Sequence, residues 1–575
     1  MKHAIVLRGL TMGVLAALLS ACGPTASGPA STSDPVQGSR QQAPAVKRIT
    51  AAVKSEPKAV ISRANQSGIV LAGADELEQS VHANMVMPNA NGNLIPQLAV
   101  AVPSIENGLW KLLPDGRMET VWQIKPNARW HDGTPVAVDD LLFTLQVVQD
   151  RDMPYFKHLA YDSIESAEAV GRDTLSVKWK QPFIDADLLL SQRVTTILPR
   201  HLLEKPYLED KGSFEQLPFW NKEFVGTGAF KLREWNHGSG AVLEANPDYV
   251  LGRPKIDEVN VVFITDPAAL AANLLAGAVD LTMGRNISLD QALQIRDQWR
   301  DGTAQYGLKN WIMVYPQFVD PNPTVVTDVR FRRALVHAID RQEMVDSLLA
   351  GLAMVAHTLM NPGQPDYAEV ERRVPKYEYD PRKATAMLED LGYSVGTDGG
   401  LRDASSQRLG LEIRTTQGDD LQEKSMFAVS GYWQRIGIAM EPIPVPPQRS
   451  QDRAYRSTFP SFDLKRQPND LDALPRIHSS KTPLAENNFV GDNYSRYMNP
   501  QFDALLDRYF VTIPRPERIA VVSQVAMHIA ETLNLMGLFY QAEPTMVNNR
   551  ISPVSLTMAG GTTIFMGNVN EWDVK

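Results

Sequence analysis

The sequence predicts a mixed α/β fold built from more than one structural unit, and three observations carry that prediction. The chain has 575 residues, 43% hydrophobic and 21% charged, which is the composition of a globular protein too long for one core. Apolar runs of strand length alternate with segments whose apolar residues recur at helical spacing. Several of the helical segments open on the same local device, an Asx residue followed by proline. That pair sets an N-cap ahead of a first helical position where the missing proline N–H is not needed.

The first 21 residues have a basic start (Lys2, His3, Arg8) and a short apolar run through Leu10, Met12, Val14, Leu15, Leu18 and Leu19. This is the layout of a secretory signal, too short for a comfortable membrane span. It ends in Leu19-Ser20-Ala21-Cys22, which resembles the bacterial lipobox, and Cys22 is the expected lipid anchor. Residues 22–45 are dominated by small, polar and proline residues and read as a flexible tether. Cys22 is the only cysteine, so disulfide frameworks and cysteine-based metal clusters are excluded. The net charge is -9, and removal of residues 1–21 takes away Lys2 and Arg8 to leave -11. No basic tract exceeds a triplet, which argues against a nucleic-acid partner.

Ordered structure is expected to begin with a strand near Ile49–Val53. Leu175, Val177 and Trp179 alternate with polar neighbours, and Val259–Ile264 is a nearly continuous apolar run, consistent with a strand covered on both faces. Asn246-Pro247 and Asp266-Pro267 are helix starts, the second followed by Leu270, Leu274, Leu275 and a closing Gly277. Asp340 opens a helix with Glu343 completing a capping box and Gly351 ending it. After Asp380-Pro381, Ala384, Met387, Leu388 and Leu391 line one face up to Gly392. Leu409, Leu411 and Ile413 form a strand. Met426, Val429, Trp433 and Ile436 line a helix ended by Gly437, and Asn499-Pro500 starts another.

Motifs of catalysis are missing from the sequence. There is no His-Glu-x-x-His, no Gly-x-Ser-x-Gly elbow, and no histidine pair at helical spacing among the ten histidines. His337 reads as a packed core histidine in an apolar helical stretch. Gly226-Thr227-Gly228-Ala229-Phe230-Lys231 lacks the ending of a phosphate loop and reads as a turn entering a strand. No enzyme activity, cofactor or metal is expected.

Five ordered segments resemble the extracytoplasmic solute-binding proteins of peptide and nickel ABC importers, the oligopeptide/dipeptide-binding family. They are Ala128–Pro135 leading into Asp139–Leu145, Val225–Leu232, Leu274–Asp280, Asp328–Arg341, and Tyr379–Tyr393. Ala229 stands where the family usually has proline. The resemblance implies an α/β, two-lobed periplasmic-binding-protein fold of class II type, with an extra domain inserted in the N-terminal lobe. The implied layout is a first strand of lobe I in 46–67, the extra domain in 68–205, lobe I again in 206–279, lobe II in 280–525, and a return to lobe I in 526–575. The implied role is that of a lipid-anchored, monomeric substrate-binding protein on the extracytoplasmic side of the membrane. It captures a peptide or similar small solute by hinge closure and delivers it to a membrane permease and its ATPase. A secreted hydrolase acting on peptides or oligosaccharides is the alternative.

Ligands of that family lie between the lobes, so candidate wall residues are those near the crossings. Trp311 and Tyr315 fall on one side of a strand by period 2, the spacing also shown by two packed core rings. Trp235 follows the Gly-Thr-Gly strand. The family's Trp-x-x-Asp-Tyr segment, whose aspartate meets a peptide ammonium group, has its counterpart in Phe462–Asp472. There the tryptophan and tyrosine are missing and Asp470 lies near the expected place. Lys465 and Arg466 offer either an anion contact or a solvated charged face.

Overall fold

A computed structural model describes residues 46–65, 73–89, 92–153, 158–284, 286–554, 558–559, 562–563 and 566–575. The expected signal, tether and Cys22 lie outside the described residues. Fourteen strands matter here: β1 Arg48–Val53, β2 Trp110–Leu112, β3 Met118–Gln123, β4 Ile164–Ala169, β5 Thr174–Trp179, β6 Phe230–Asn236, β7 Gly240–Ala245, β8 Glu258–Phe263, β9 Leu281–Thr282, β10 Gly302–Pro316, β11 Gly410–Thr416, β12 Ala439–Val445, β13 Phe462–Gln467 and β14 Met536–Asn548. The helices used below are α1 Ala74–Val81, α2 Val138–Gln149, α3 Pro267–Leu275, α4 Val329–His337, α5 Arg341–Leu349, α6 Pro381–Asp390, α7 Asp420–Arg435, α8 Pro500–Val511 and α9 Arg515–Thr532.

Three of the predicted Asx-Pro starts are N-caps in the structure. Asp266, Asp380 and Asn499 each accept the N–H three residues on, at 2.7, 2.9 and 2.9 Å. Asn246 does something else: its Oδ1 accepts from Asp248 N at 3.1 Å in an Asx turn, and no helix follows. At α5, Asp340 caps Glu343 N at 2.9 Å, but the Glu343 carboxylate takes the Tyr432 hydroxyl instead of closing a capping box. His337 is buried in α4 with Nδ1 2.6 Å from the Glu378 carbonyl, a core histidine as read from sequence.

Ten strands form one sheet in the order β12-β11-β13-β10-β14-β9-β1-β8-β7-β6. The two long central strands, β10 and β14, belong to both halves of it. Gly302–Leu308 pairs antiparallel with Asn548–Ala542; after a register shift, Trp311–Val314 pairs with Tyr540–Met536 and, on its other edge, with β13. One lobe is therefore built on β1 and β6–β9, and the other on β11–β13, with the chain between the two crossings supplying α4–α9. This is the two-lobe α/β periplasmic-binding fold. A separate four-stranded sheet, β2-β3-β5-β4, lies within the first lobe's sequence and packs against α2.

Strand periodicity divides β10 between two cores. Trp311, Met313 and Tyr315 join the cluster that runs through the first lobe, while Ile312 and Val314 join the second lobe's core with Ile413, Trp433 and Leu464.

The Gly226-Thr227-Gly228 turn passes directly over the end of α1. A Cβ on Gly228 would sit 2.3 Å from the Val81 carbonyl carbon, a backbone atom that cannot step aside. Thr227 locks the contact by donating to the Ala83 carbonyl at 2.6 Å and accepting from Ala83 N at 3.0 Å. Gly228→Ala is expected to cost about 2–3 kcal/mol of stability through overpacking. Denaturant unfolding of the two chains measures it, and a loss below about 0.5 kcal/mol would contradict the close approach.

Candidate functional site

β10 breaks register between Leu308 and Trp311, where it passes from one lobe to the other, and this crossing is the candidate hinge. Asn310 there has φ +64°, a left-handed conformation that asparagine tolerates better than most residues. Its backbone N–H donates to Asn469 Oδ1 at 3.1 Å, and its side-chain amide donates to Glu543 Oε1 at 3.1 Å. Asn361 closes the group, donating to the Leu308 carbonyl at 2.9 Å and to Asn469 Oδ1 at 3.2 Å. Asn469 and Asn361 are buried, so the bonds they make satisfy polar groups that water does not reach. Asn310→Gly and Asn310→Val lose the same side-chain bond but differ in their tolerance of positive φ. The valine variant is expected to be less stable than the glycine variant by about 1–2 kcal/mol, read from paired denaturation curves.

From the hinge, the segment after β13 leads straight into a crevice between the lobes. Asp470 precedes a 3-10 turn, Leu471–Ile477, that faces residues 185–193 of the first lobe. Arg193 Nε donates to Asp472 Oδ2 at 2.6 Å across this crevice, and Ile184 N donates to the Phe510 carbonyl at 3.2 Å beside it. The lobes are thus shut against one another at this point.

Asp185 and Asp187 stand on the first-lobe side, and Asp470 joins Asp472 on the other. All four are half-buried. Loss of water pushes the Asp185 carboxyl up to about 8, helped by the charge of Asp472 and opposed by Arg193. Burial also raises Asp187 to about 6, against Arg518 and Arg193, and raises Asp470 to about 6, with Asp472 adding to the shift.

Next to Arg193, beneath α1, is a pocket lined by Gln79, His82, Asn84, Gln97, Gln192 and the guanidinium itself, with Val86, Met87 and Pro88 as its apolar wall. Burial pushes the His82 imidazole down to about 3, so it is uncharged there at neutral pH. Amides, an uncharged imidazole and a short apolar wall suit an uncharged polar ligand group next to a charged one.

The four residues singled out in the sequence are not gathered in one place. Asp470 is in the crevice. Trp311 and Tyr315 share a face as expected, but both rings are packed: each is 3% exposed, Tyr315 lies edge-on to Tyr494, and Trp311 presses on Gly537. Trp235 lies on β6, the outermost strand and six strand spacings from β10, or roughly 29 Å. Its indole donates to Glu56 Oε1 at 2.7 Å. Lys465 and Arg466 are engaged within the second lobe, with Thr416 at 2.8 Å and Asp419 at 2.7 Å respectively. Sequence reasoning missed Arg193, which stands in an unremarkable Ser-Gln-Arg run, and the hinge asparagines, which carry no motif. Among the described residues, no group of three or more His, Cys, Asp or Glu is placed to hold a metal ion, and no helix is long and apolar enough to cross a membrane.

Two lobes that meet across a polar contact fit a solute-binding protein, and the comparisons with known proteins agree. Residues 100–487 match the family model described as bacterial extracellular solute-binding proteins, family 5 Middle. The chain belongs to this family, that of the peptide and nickel ABC solute-binding proteins, and is a binding protein and not an enzyme. It is 27% identical over 444 residues to the oligopeptide-binding protein AppA of Bacillus subtilis, covering 74% of this chain and 76% of that one. The structure of that protein in complex with a nonapeptide superposes with a TM-score of 0.66 at 22% identity, over 92% of this chain and 99% of the other. NikA from Brucella suis, in complex with Fe(III)-EDTA, superposes with a TM-score of 0.74 at 18% identity, over 92% and 100%.

Proposed function

We propose that this chain is the lipid-anchored receptor of an ATP-driven importer, holding a peptide between its lobes and delivering it to a membrane permease. Cys22 carries the lipid, and residues 22–45 tether it to the body of the protein. The extra domain of the first lobe occupies about 68–205, and the second lobe spans the chain from about 280 to 525. The observation that carries the reading is the crevice itself, where Arg193 and Asp472 join the lobes next to a pocket of amide side chains and one uncharged imidazole. The acidic residues beside the pocket suit the ammonium end of a peptide. The relatives support the same cargo, since AppA was solved with a nonapeptide, whereas the Fe(III)-EDTA in NikA shows that the fold also holds metal chelates.

Mass spectrometry of the solute that co-purifies with the mature protein from its native host is expected to return peptides with intact bonds. Recovery of a metal chelate or a sugar in their place overturns the peptide assignment.

A further inference from the structure

We infer that the crevice is a proton-linked latch: closing it sets Asp185 and Asp187 of one lobe against Asp470 and Asp472 of the other around Arg193, and closure takes up protons. This rests on the hinge-closure reading above and adds a regulatory property to the same site. The geometry is that of an ion pair across the lobes, Arg193 at 2.6 Å from Asp472, with Asp185 and Asp187 of one lobe and Asp470 of the other close enough to feel its charge. The other ionisable groups that face them are Arg476 beyond Asp472, Tyr509 on α8, and Arg518 on α9. Fully ionised, the cluster carries four negative charges against three positive ones, and Arg476 is exposed. Arg193 pairs directly with Asp472, and the net negative charge of the cluster is held in a space with little water.

Protonation relieves that repulsion only while the lobes are shut. Separating them moves Asp470 and Asp472 away from Asp185 and Asp187 and returns all four to water, where a carboxyl titrates near 4. The closed form holds Asp185, Asp187 and Asp470 above that range. A group whose proton is held more tightly in the closed form favours closure at low pH. That advantage is present in full below the open-state value and is lost as pH rises through about 6 to 8. A drop in pH around the protein therefore tightens its grip on solute, and a rise loosens it.

The test needs no ligand. Spin labels at Val170→Cys and Val395→Cys, exposed positions on the extra sheet and the second lobe, report interlobe distance by double electron–electron resonance in the full chain carrying Cys22→Ser. In the solute-free protein the ratio of closed to open populations is expected to rise at least about tenfold from pH 8.5 to pH 5.5. Asp185→Asn is expected to keep only part of that response, and the triple variant Asp185→Asn/Asp187→Asn/Asp470→Asn, which removes all three raised carboxyls, is expected to be closed at both pH values, the ratio changing less than about threefold. A distance distribution in the parent that does not respond to pH overturns the latch, as does a full pH response retained in the triple variant. Arg193→Glu places a fifth carboxylate in the crevice and is expected to open the lobes at either pH. If it opens them while the parent is indifferent to pH, closure stands and only proton linkage fails. If neither moves the labels, the hinge reading fails with it.

Discussion

Arg550→Ala is expected to cost about 3–5 kcal/mol of stability, more than removing its partner Asp280. Asp280 lies between β9 and the helix end marked by Gly277, and is 2% exposed. Its carboxylate accepts from Arg550 Nε at 2.7 Å, from a second Arg550 N–H at 2.5 Å, and from Thr50 N at 2.7 Å. Its own N–H donates to the Thr50 carbonyl at 2.8 Å, and its carbonyl takes Asn548 N at 2.7 Å. One residue thereby fastens β1, β9 and β14 together where β14 rejoins the first lobe.

The asymmetry comes from exposure. The Arg550 side chain keeps 38% of its surface in water, so without Asp280 the guanidinium returns to solvent. What remains is the Thr50 N–H deprived of its acceptor, a loss of about 1–3 kcal/mol. Without Arg550, a carboxylate is left in the interior with its compensating charge gone. Urea unfolding of Arg550→Ala and Asp280→Ala decides the point; equal losses, or a larger one for Asp280→Ala, would show that the pair is not organised by the burial of its acid.

That pair also shows what the sequence could and could not convey. Gly277 and Asp280 stood out as a local motif, and the structure gives both a role: Gly277 has φ +69° at the end of α3, and Asp280 begins the staple. The partner, Arg550, lies 270 residues further on. The same division holds elsewhere. Asp266, Asp380 and Asn499 were legible as caps because a cap is complete within four residues, and the failure at Asn246 is local too, since an Asx turn offers the same side chain a competing use. Period 2 correctly put Trp311 and Tyr315 on one face. Whether that face is open or packed is decided by Gly537 and Tyr494, which no spacing within β10 encodes. The hinge was invisible for the same reason: a register break is a relation between β10 and β14, and Asn310, Asn361 and Asn469 meet only after both lobes have formed.

Arg193→Ala is expected to weaken peptide binding by roughly 30-fold or more, about 2 kcal/mol, while Asp472→Ala weakens it less. Both variants lose the ion pair that crosses the crevice. They differ in what closure then brings together. Without Asp472, Arg193 still faces Asp185 and Asp470, which already bias its charge, so the guanidinium changes partner and closure retains part of its electrostatic support. Without Arg193, four carboxylates meet with no cation in contact, and every closing event works against their repulsion. Arg193→Lys keeps the charge but has a single ammonium in place of the planar fork, and is expected to fall between the parent and alanine. Because the two residues share one interaction, the double variant Arg193→Ala/Asp472→Ala is expected to lose less than the two single losses combined. Calorimetric titration with a peptide recovered from the native protein measures all four affinities, and the deficit should lie in faster release, since the pair acts once the lobes have met. Affinities within about twofold of the parent throughout would mean that closure is governed by the hinge asparagines or the ligand's own contacts, and that the Arg193–Asp472 pair merely accompanies it.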